Sequence, residues 1–309
     1  MIAILQVVLP IFGLILAGYV GRRSHCLGEA ASFELNRFVV WLALPSLLFK
    51  ATATATWAEL WQPGFVISVC VGCVAVFAVT VLLRLRQLRH LADASIDGLS
   101  AAYANTGFLG IPLCALVLGD EGLVPAIIAT LIVACALFAV GIVLVEISLQ
   151  QAPSPWRIAA RVGLALARNP LVVAPLLGAA WAGAGLALPL ALDRFLTLLG
   201  GAATPCALVS LGAFLAQPQA GQRSGTAGLV LAKLVLQPAI TGLLAYRVFQ
   251  LPPLWAHAAL LLSALPTGTG PFMLASFYGR EGGMVARVIL LTTVGSLATI
   301  SLCLYVIAR

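Results

Sequence analysis

Apolar residues run along this chain in long blocks, without the alternation of a strand or the one-sided stripe of a surface helix. Windows of about 20 apolar residues, the length a helix needs to cross a bilayer, fall near 2–20, 35–56, 63–84, 96–118, 123–149, 169–187, 195–216, 226–249, 254–278 and 284–308. Polar residues gather in short connections, and the longest polar link, 150–168, divides the chain near its middle. Two blocks carry residues that a lipid-facing helix does not want. Ala104-Asn105-Thr106-Gly107-Phe108-Leu109-Gly110-Ile111-Pro112 interrupts the fourth, and Ser263-Ala264-Leu265-Pro266-Thr267-Gly268-Thr269-Gly270-Pro271 interrupts the ninth. Proline removes an amide donor and glycine weakens a helix. Lipid offers no replacement hydrogen bonds, so such a break is tolerated only where it is buried in protein or lines a watery cavity. Paired breaks in matching positions of two halves point to a transporter's binding site.

The halves also match each other. A gapless shift of 160 residues pairs Pro10 with Pro170, Gly18 with Gly178, Pro45 with Pro205, Gly110 with Gly270, Gly119 with Gly279 and Glu121 with Glu281. Proline, glycine and glutamate matches in one register mark an internal repeat. The pattern predicts an all-α integral membrane protein of ten transmembrane helices in two five-helix repeats. Residues 1–150 form the first repeat, 151–168 a cytoplasmic linker, and 169–309 the second repeat. Five spans per repeat is an odd number, so the second repeat enters the membrane from the opposite side and the repeats are inverted. Charge fixes the orientation. Arginines such as Arg22, Arg23, Arg84, Arg86, Arg157, Arg161, Arg223 and Arg280 lie in alternate connections on one side. The other side carries Arg194, Arg247, Arg309 and the acids Glu59, Asp120, Glu121 and Asp193. The positive-inside rule makes the first side cytoplasmic, with both termini on the other. Met1 to Val20 lacks a basic start, and its arginines follow the apolar run, so it reads as a retained span and not a signal peptide.

Composition narrows the class. Of 309 residues, 62% are hydrophobic and 9% charged, against roughly 25% charged in a soluble domain. The net charge of +7 is scattered between apolar blocks with no basic-aromatic patch, so lipid, and not nucleic acid, is the expected partner. Six of the seven cysteines fall inside predicted spans, which argues against a disulfide framework. Cys70-x-x-Cys73 has no second pair and no nearby histidine, and reads as small apolar packing. No metal or cofactor is expected. An intramembrane enzyme would need a paired acid and base, a Ser with His or Lys, or metal-spaced histidines, and the sequence shows no such constellation.

The candidate chemistry sits at the breaks. The second half of each broken span starts at mid-membrane with free backbone N–H groups, and Pro112 and Pro271 suit a helix's first turn. Two such N-termini favour an anion without a full positive charge. The candidate binding residues are Asn105, Thr106, Gly107, Gly110 and Pro112 at the first break, and Thr267, Gly268, Thr269, Gly270 and Pro271 at the second. Asn105 either orients a carboxylate or caps its own half-helix. Thr267 and Thr269 either face the ligand or bond back to the helix. Lys233, with Gln237 one turn on and Pro238 beside it, either faces the same path or snorkels to the cytoplasmic surface. Pro45 and Pro205 read as structural kinks of the second and seventh spans. Lys50 and Glu146 read as snorkelling or loop-paired groups near span ends, His257 as an interfacial histidine, and Gly119 to Gly122 and Gly279 to Gly282 as helix stops with tight turns.

These residues resemble the auxin efflux carrier family, the PIN-like group of membrane transporters. The resemblance rests on Asn105-Thr106-Gly107-Phe108-Leu109-Gly110-Ile111-Pro112, with Leu44-Pro45-Ser46-Leu47-Leu48-Phe49, the Pro266–Pro271 segment, and Lys233 followed by Pro238. It implies that the fourth and ninth spans cross at their breaks. It implies a scaffold of spans 1, 2, 6 and 7, a transport bundle of spans 3–5 and 8–10, and homodimers through spans 2 and 7. It further implies elevator-like alternating access for a small organic anion, either a malonate- or malate-like carboxylate or an auxin-like acid, at the inner (plasma) membrane. The chain departs from a symmetric pair of asparagines, because Leu265 stands where the first break has Asn105. Two alternatives stay open: a sodium-coupled carrier of the bile-acid symporter type, for which the spans offer few acidic or amide ligands, and a membrane sensor without flux.

Overall fold

The computed structural model describes residues 2–54, 62–88, 90–149, 156, 163–164, 167–168, 170–217 and 225–307. Helix occupies each of the ten predicted blocks. The helices are α1 (Ile2–Arg23), α2 (Ala31–Ala53), α3 (Pro63–Leu88), α4 (Leu91–Ala102), α5 (Thr106–Leu118), α6 (Asp120–Leu149), α7 (Pro170–Gly183), α8 (Leu190–Leu215), α9 (Thr226–Val248), α10 (Pro253–Ser263), α11 (Gly270–Phe277) and α12 (Gly283–Ile307). Among the described residues there is no strand, only an isolated antiparallel bridge between Ala104 and Thr267. Among the described residues six helices (α2, α3, α6, α8, α9 and α12) are long and apolar enough to cross a membrane. The protein is a multi-pass membrane protein. Most of the predicted linker lies outside the described residues, as do Glu59, Arg157, Arg161, Arg223 and Arg309.

Prolines shape four of these helices visibly, whereas Pro10 and Pro175 lie within uninterrupted helix. A proline has no N–H for the i→i−4 bond, and its ring collides with that carbonyl. Ahead of Pro45, Pro112 and Pro238 the chain winds into π-turns, at Val39–Ala43, Thr106–Gly110 and Ala232–Leu236 respectively. The wider turn accommodates the missing bond. Ahead of Pro205, α8 is interrupted at Ala202, between Leu190–Gly201 and Ala203–Leu215. One expectation is corrected here. The second half of the fourth block does not start at Pro112; its helical winding begins at Thr106, because the π-turn carries the helix through the proline.

The chain divides into two compact units. The first comprises Met1–Gln62, Gly107–Ile128 and Ala167–Pro218. Here backbone approaches backbone through glycine, as expected where lipid gives no hydrophobic drive and packing must do the work. A Cβ on Gly18 of α1 would lie 2.1 Å from the Val209 carbonyl oxygen of α8, and one on Gly212 would lie 1.9 Å from the Ile15 oxygen. A Cβ on Gly178 of α7 would lie 2.1 Å from Thr52 Oγ1 and 2.5 Å from the Phe49 oxygen of α2. Phe49 and Trp181 meet edge to face at 6.2 Å. Ser32 and Ser210 donate to each other's carbonyl oxygens, at 3.2 and 2.9 Å. Lys50 is paired: its Nζ lies 2.7 Å from Asp193 Oδ1 and donates to Thr197 Oγ1 at 2.6 Å.

The second unit comprises Pro63–Thr106, Ala129–Leu166 and Gln219–Arg309. Gly98 of α4 lets Phe77 and Val81 of α3 close in, and Gly141 of α6 does the same for Leu99. Acids near the start of α4 are paired. Asp97 is buried against Arg84, 3.0 Å from its Nε, and Asp93 accepts two bonds from Arg280, one of them from Nε at 2.7 Å. That hydrogen bond holds the Arg280 pKa above its ordinary value. Glu146 is buried and accepts from the Tyr278 hydroxyl at 2.7 Å, so it is paired and does not reach the surface.

The glycine contacts make a direct prediction. Gly178→Val overfills a close approach and should lower the apparent melting temperature in detergent, with a cost of about 1–3 kcal/mol for such overpacking. Gly13→Ala, which meets nothing within 4 Å, should not lower it.

Candidate functional site

The second unit builds its centre from two interrupted helices. Helix α4 ends at Ala102 and α10 ends at Ser263, each leaving carbonyls without intrahelical partners. The extended residues that follow pair with each other. Asn105 N–H donates to the Pro266 oxygen at 2.8 Å, and Gly268 N–H donates to the Tyr103 oxygen at 2.9 Å. The breaks therefore meet as a minimal antiparallel bridge, with Ala104 opposite Thr267. Thr267 adds two bonds. Its Oγ1 donates to the Ser100 oxygen at 2.7 Å, and its N–H donates to Thr292 Oγ1 of α12 at 3.1 Å.

The remaining helix ends are capped by side chains from neighbouring spans. Lys233 Nζ donates to the Ser263 oxygen at 2.8 Å, and Gln237 Nε2 donates to the Ala102 oxygen at 3.0 Å. These residues lie one turn apart on α9, and each takes the terminal carbonyl of a different half-helix. Lys233 is 0% and Gln237 1% exposed. Lys233 is thus buried, and it places its amino group at the negative end of α10, where positive charge is favoured. Thr299 Oγ1 of α12 donates to the Ala264 oxygen at 3.3 Å.

Of the predicted residues, the second unit brings together Asn105, Thr106, Lys233, Gln237 and the stretch from Thr267 to Pro271. Asn105, Thr106, Thr267, Gly268, Gly270 and Pro271 are buried, and Thr269 is half-buried. A Cβ on Gly268 would lie 3.1 Å from the Tyr103 ring and one on Gly270 2.7 Å from it, so the first position is tight and the second needs the ring to shift. Pro271 occupies the first turn of α11. Gly107, Gly110 and Pro112 fall in the first unit, on the continuation of α5. Sequence reasoning missed Tyr103, Ser100, Thr292 and Thr299. The last two were detectable as hydroxyls at helical spacing inside an apolar span. Cys70 and Cys73 are free thiols, and Cys73 accepts from Gln237 Nε2 at 3.3 Å. Among the described residues no group of three or more His, Cys, Asp or Glu could hold a metal ion.

An all-helical membrane fold whose two broken helices bridge each other is the framework of a transporter. The chain belongs to the membrane transport protein family, the auxin efflux carrier family, whose pattern matches residues 3–304. It is 33% identical over 311 residues to a Rhizobium meliloti protein named "Putative malonate transporter", covering 99% of this chain and 97% of that one. It is 27% identical to the uncharacterized transporter YfdV of Escherichia coli and 26% identical to an uncharacterized transporter of Methanocaldococcus jannaschii, in each case over 96% of this chain and at least 96% of the relative. The family and these relatives carry the names of transporters, not of enzymes.

If these bonds hold the breaks in place, their loss should show in stability first. Lys233→Met and Thr267→Val each leave a buried carbonyl unpaired, at a cost of about 1–3 kcal/mol. Both should lower the apparent melting temperature of the purified protein, whereas a substitution at exposed Leu231 should not.

Proposed function

We propose that this chain is a secondary carrier for a small organic anion, a malonate- or malate-like carboxylate or an auxin-like acid, bound where the two broken helices bridge. The bridge itself carries the reading. A broken helix in a membrane is costly, and two breaks paired with each other are the arrangement that carriers use to present backbone ends to a ligand. Beside the bridge, α11 begins at Gly270 with its first-turn N–H groups, a setting that favours negative charge. Asn105, Thr106, Thr267, Gly268, Thr269, Gly270 and Pro271 are the proposed ligand-facing set, with Gly107, Gly110 and Pro112 supplying the backbone of α5. Lys233 and Gln237 act as positioning residues. The name of the Rhizobium relative supports a carboxylate substrate.

The proposed frame is ten spans in two inverted repeats, 1–150 and 169–309, with 151–168 between them. Helix contacts support it. Exchanging the halves by 160 residues turns the Gly18–Val209 contact into Gly178–Phe49, which is also present. It carries Ser32–Ser210 to within one residue of Lys50–Asp193. Gly119 and Gly279, equivalent under the same shift, both have positive φ, at 70° and 60°. The division into two units supports an elevator-like mechanism with the first unit as scaffold and the second as transport bundle. In contrast to an assignment of whole spans, Gly107–Ile128 groups with the first unit. Arginine placement supports an inner-membrane carrier with both termini non-cytoplasmic, and a homodimer through α2 and α8 completes the proposal.

Uptake of labelled malonate, malate and an indole acid into proteoliposomes tests this reading, with and without sodium and a pH gradient. The wild type should show saturable, sodium-independent uptake of at least one of these anions, and Asn105→Ala should reduce it by about tenfold or more, the loss of one bond to a charged group. Full flux in Asn105→Ala would place the site elsewhere. Sodium-dependent flux would favour the symporter alternative. No flux from folded protein would count against a carrier for these anions.

A further inference from the structure

A small, partly open cavity of about 10 Å³ lies beside the bridge in the second unit. It is lined from five sides: Val69 and Cys73 of α3, Ala104 and Thr106 at the first break, Ala129 and Val133 of α6, Gln237 and Thr241 of α9, and Leu262 and Ser263 of α10. Two of the side chains that line it carry polar atoms without a protein partner, Gln237 Oε1 and Thr241 Oγ1, and both residues are only 1% exposed. The amide orientation follows from its surroundings. Nε2 must face the Ala102 carbonyl to donate to it, so the acceptor Oε1 is the atom left over. Thr241 Oγ1 is pressed against α3, where a Cβ on Gly72 would lie 2.0 Å away. Its hydroxyl is thus buried in the contact between α9 and α3 that flanks the cavity.

We propose that this cavity binds one ordered water molecule, which donates to Gln237 Oε1 and exchanges a second hydrogen bond with Thr241 Oγ1. Three observations converge on it. Leaving two buried polar atoms unpaired is expensive. The cavity is about the size that holds one water molecule. The site offers a water two polar partners, enough to keep it. The same lining disfavours other small occupants. A hard cation is held by roughly six oxygens, the cavity shows two unpartnered ones, and the Lys233 amino group stands one turn away. A carboxylate would meet the Gln237 carbonyl oxygen, acceptor against acceptor. The water is therefore a fixed part of the bundle. It completes the amide that caps α4, and it is neither the transported anion nor a coupling ion.

A structure of the purified protein at a resolution that shows ordered waters decides the question directly. A density peak within hydrogen-bond reach of both Gln237 Oε1 and Thr241 Oγ1 is expected, and an empty cavity would overturn the proposal. Melting in sodium chloride against choline chloride supplies the second arm. Equal melting temperatures in the two salts are expected. A sodium-specific rise in the wild type that Thr241→Val abolishes would replace the water with a bound cation. Thr241→Val should also melt below Thr241→Ser, which keeps the hydroxyl. A melting temperature raised above that of the wild type in Thr241→Val would show that the hydroxyl faces a dry void.

Discussion

A backbone amide or carbonyl in the interior of a bilayer finds no partner in lipid. Everything else in the second unit answers to that constraint. The two breaks release the carbonyls of Ser100, Ala102, Tyr103, Ser263, Ala264 and Pro266 and the amides of Asn105, Thr267 and Gly268, and each of these groups is bonded. Left unpaired at about 1–3 kcal/mol apiece, together they would cost as much as the whole net stability of a typical fold, about 5–15 kcal/mol. The breaks can exist only as a pair, and only with α9 and α12 beside them. This is why Lys233, Gln237, Thr292 and Thr299 are tolerated in helices that are otherwise apolar.

The same constraint explains where glycine is needed. Gly268 and Gly270 let the Tyr103 ring seal the bridge, and Gly72 lets α9 press its Thr241 hydroxyl against α3. In the first unit glycine serves a different end, bringing α1 onto α8 and α7 onto α2 at backbone distance. The first unit uses small residues to bring helix onto helix, and the second also uses them to close around its bridge, a difference that suits the proposed scaffold and transport bundle.

Much of this was legible in the sequence because lipid makes the code simple. Apolar blocks gave the helices, and the Asn105–Pro112 and Pro266–Pro271 stretches marked where helix could not continue. The partners of the breaks were less legible. A threonine inside an apolar span is as consistent with back-bonding to its own helix as with a bond to a neighbour, and Thr292 does both. Lys233 was ambiguous for a similar reason, because a long side chain can reach either the surface or a buried carbonyl, and only the position of Ser263 decides between them. The start of α5 was misplaced because a π-turn lets a helix run through Pro112, and periodicity in an all-apolar stretch carries no trace of such a turn. Asp97 went unnoticed at the edge of its block, where its pairing with Arg84 could not be read from spacing.

The central claim is that the bridge between the breaks is where the ligand binds. Substrate protection of Thr269→Cys, at the half-buried position of the second break, in a protein whose seven native cysteines have been replaced, tests it most directly. Alkylation at position 269 should slow as malonate is added, with a midpoint matching the half-saturation of malonate uptake by the same protein. Transport of malonate with an unchanged rate of alkylation at position 269 would contradict the account.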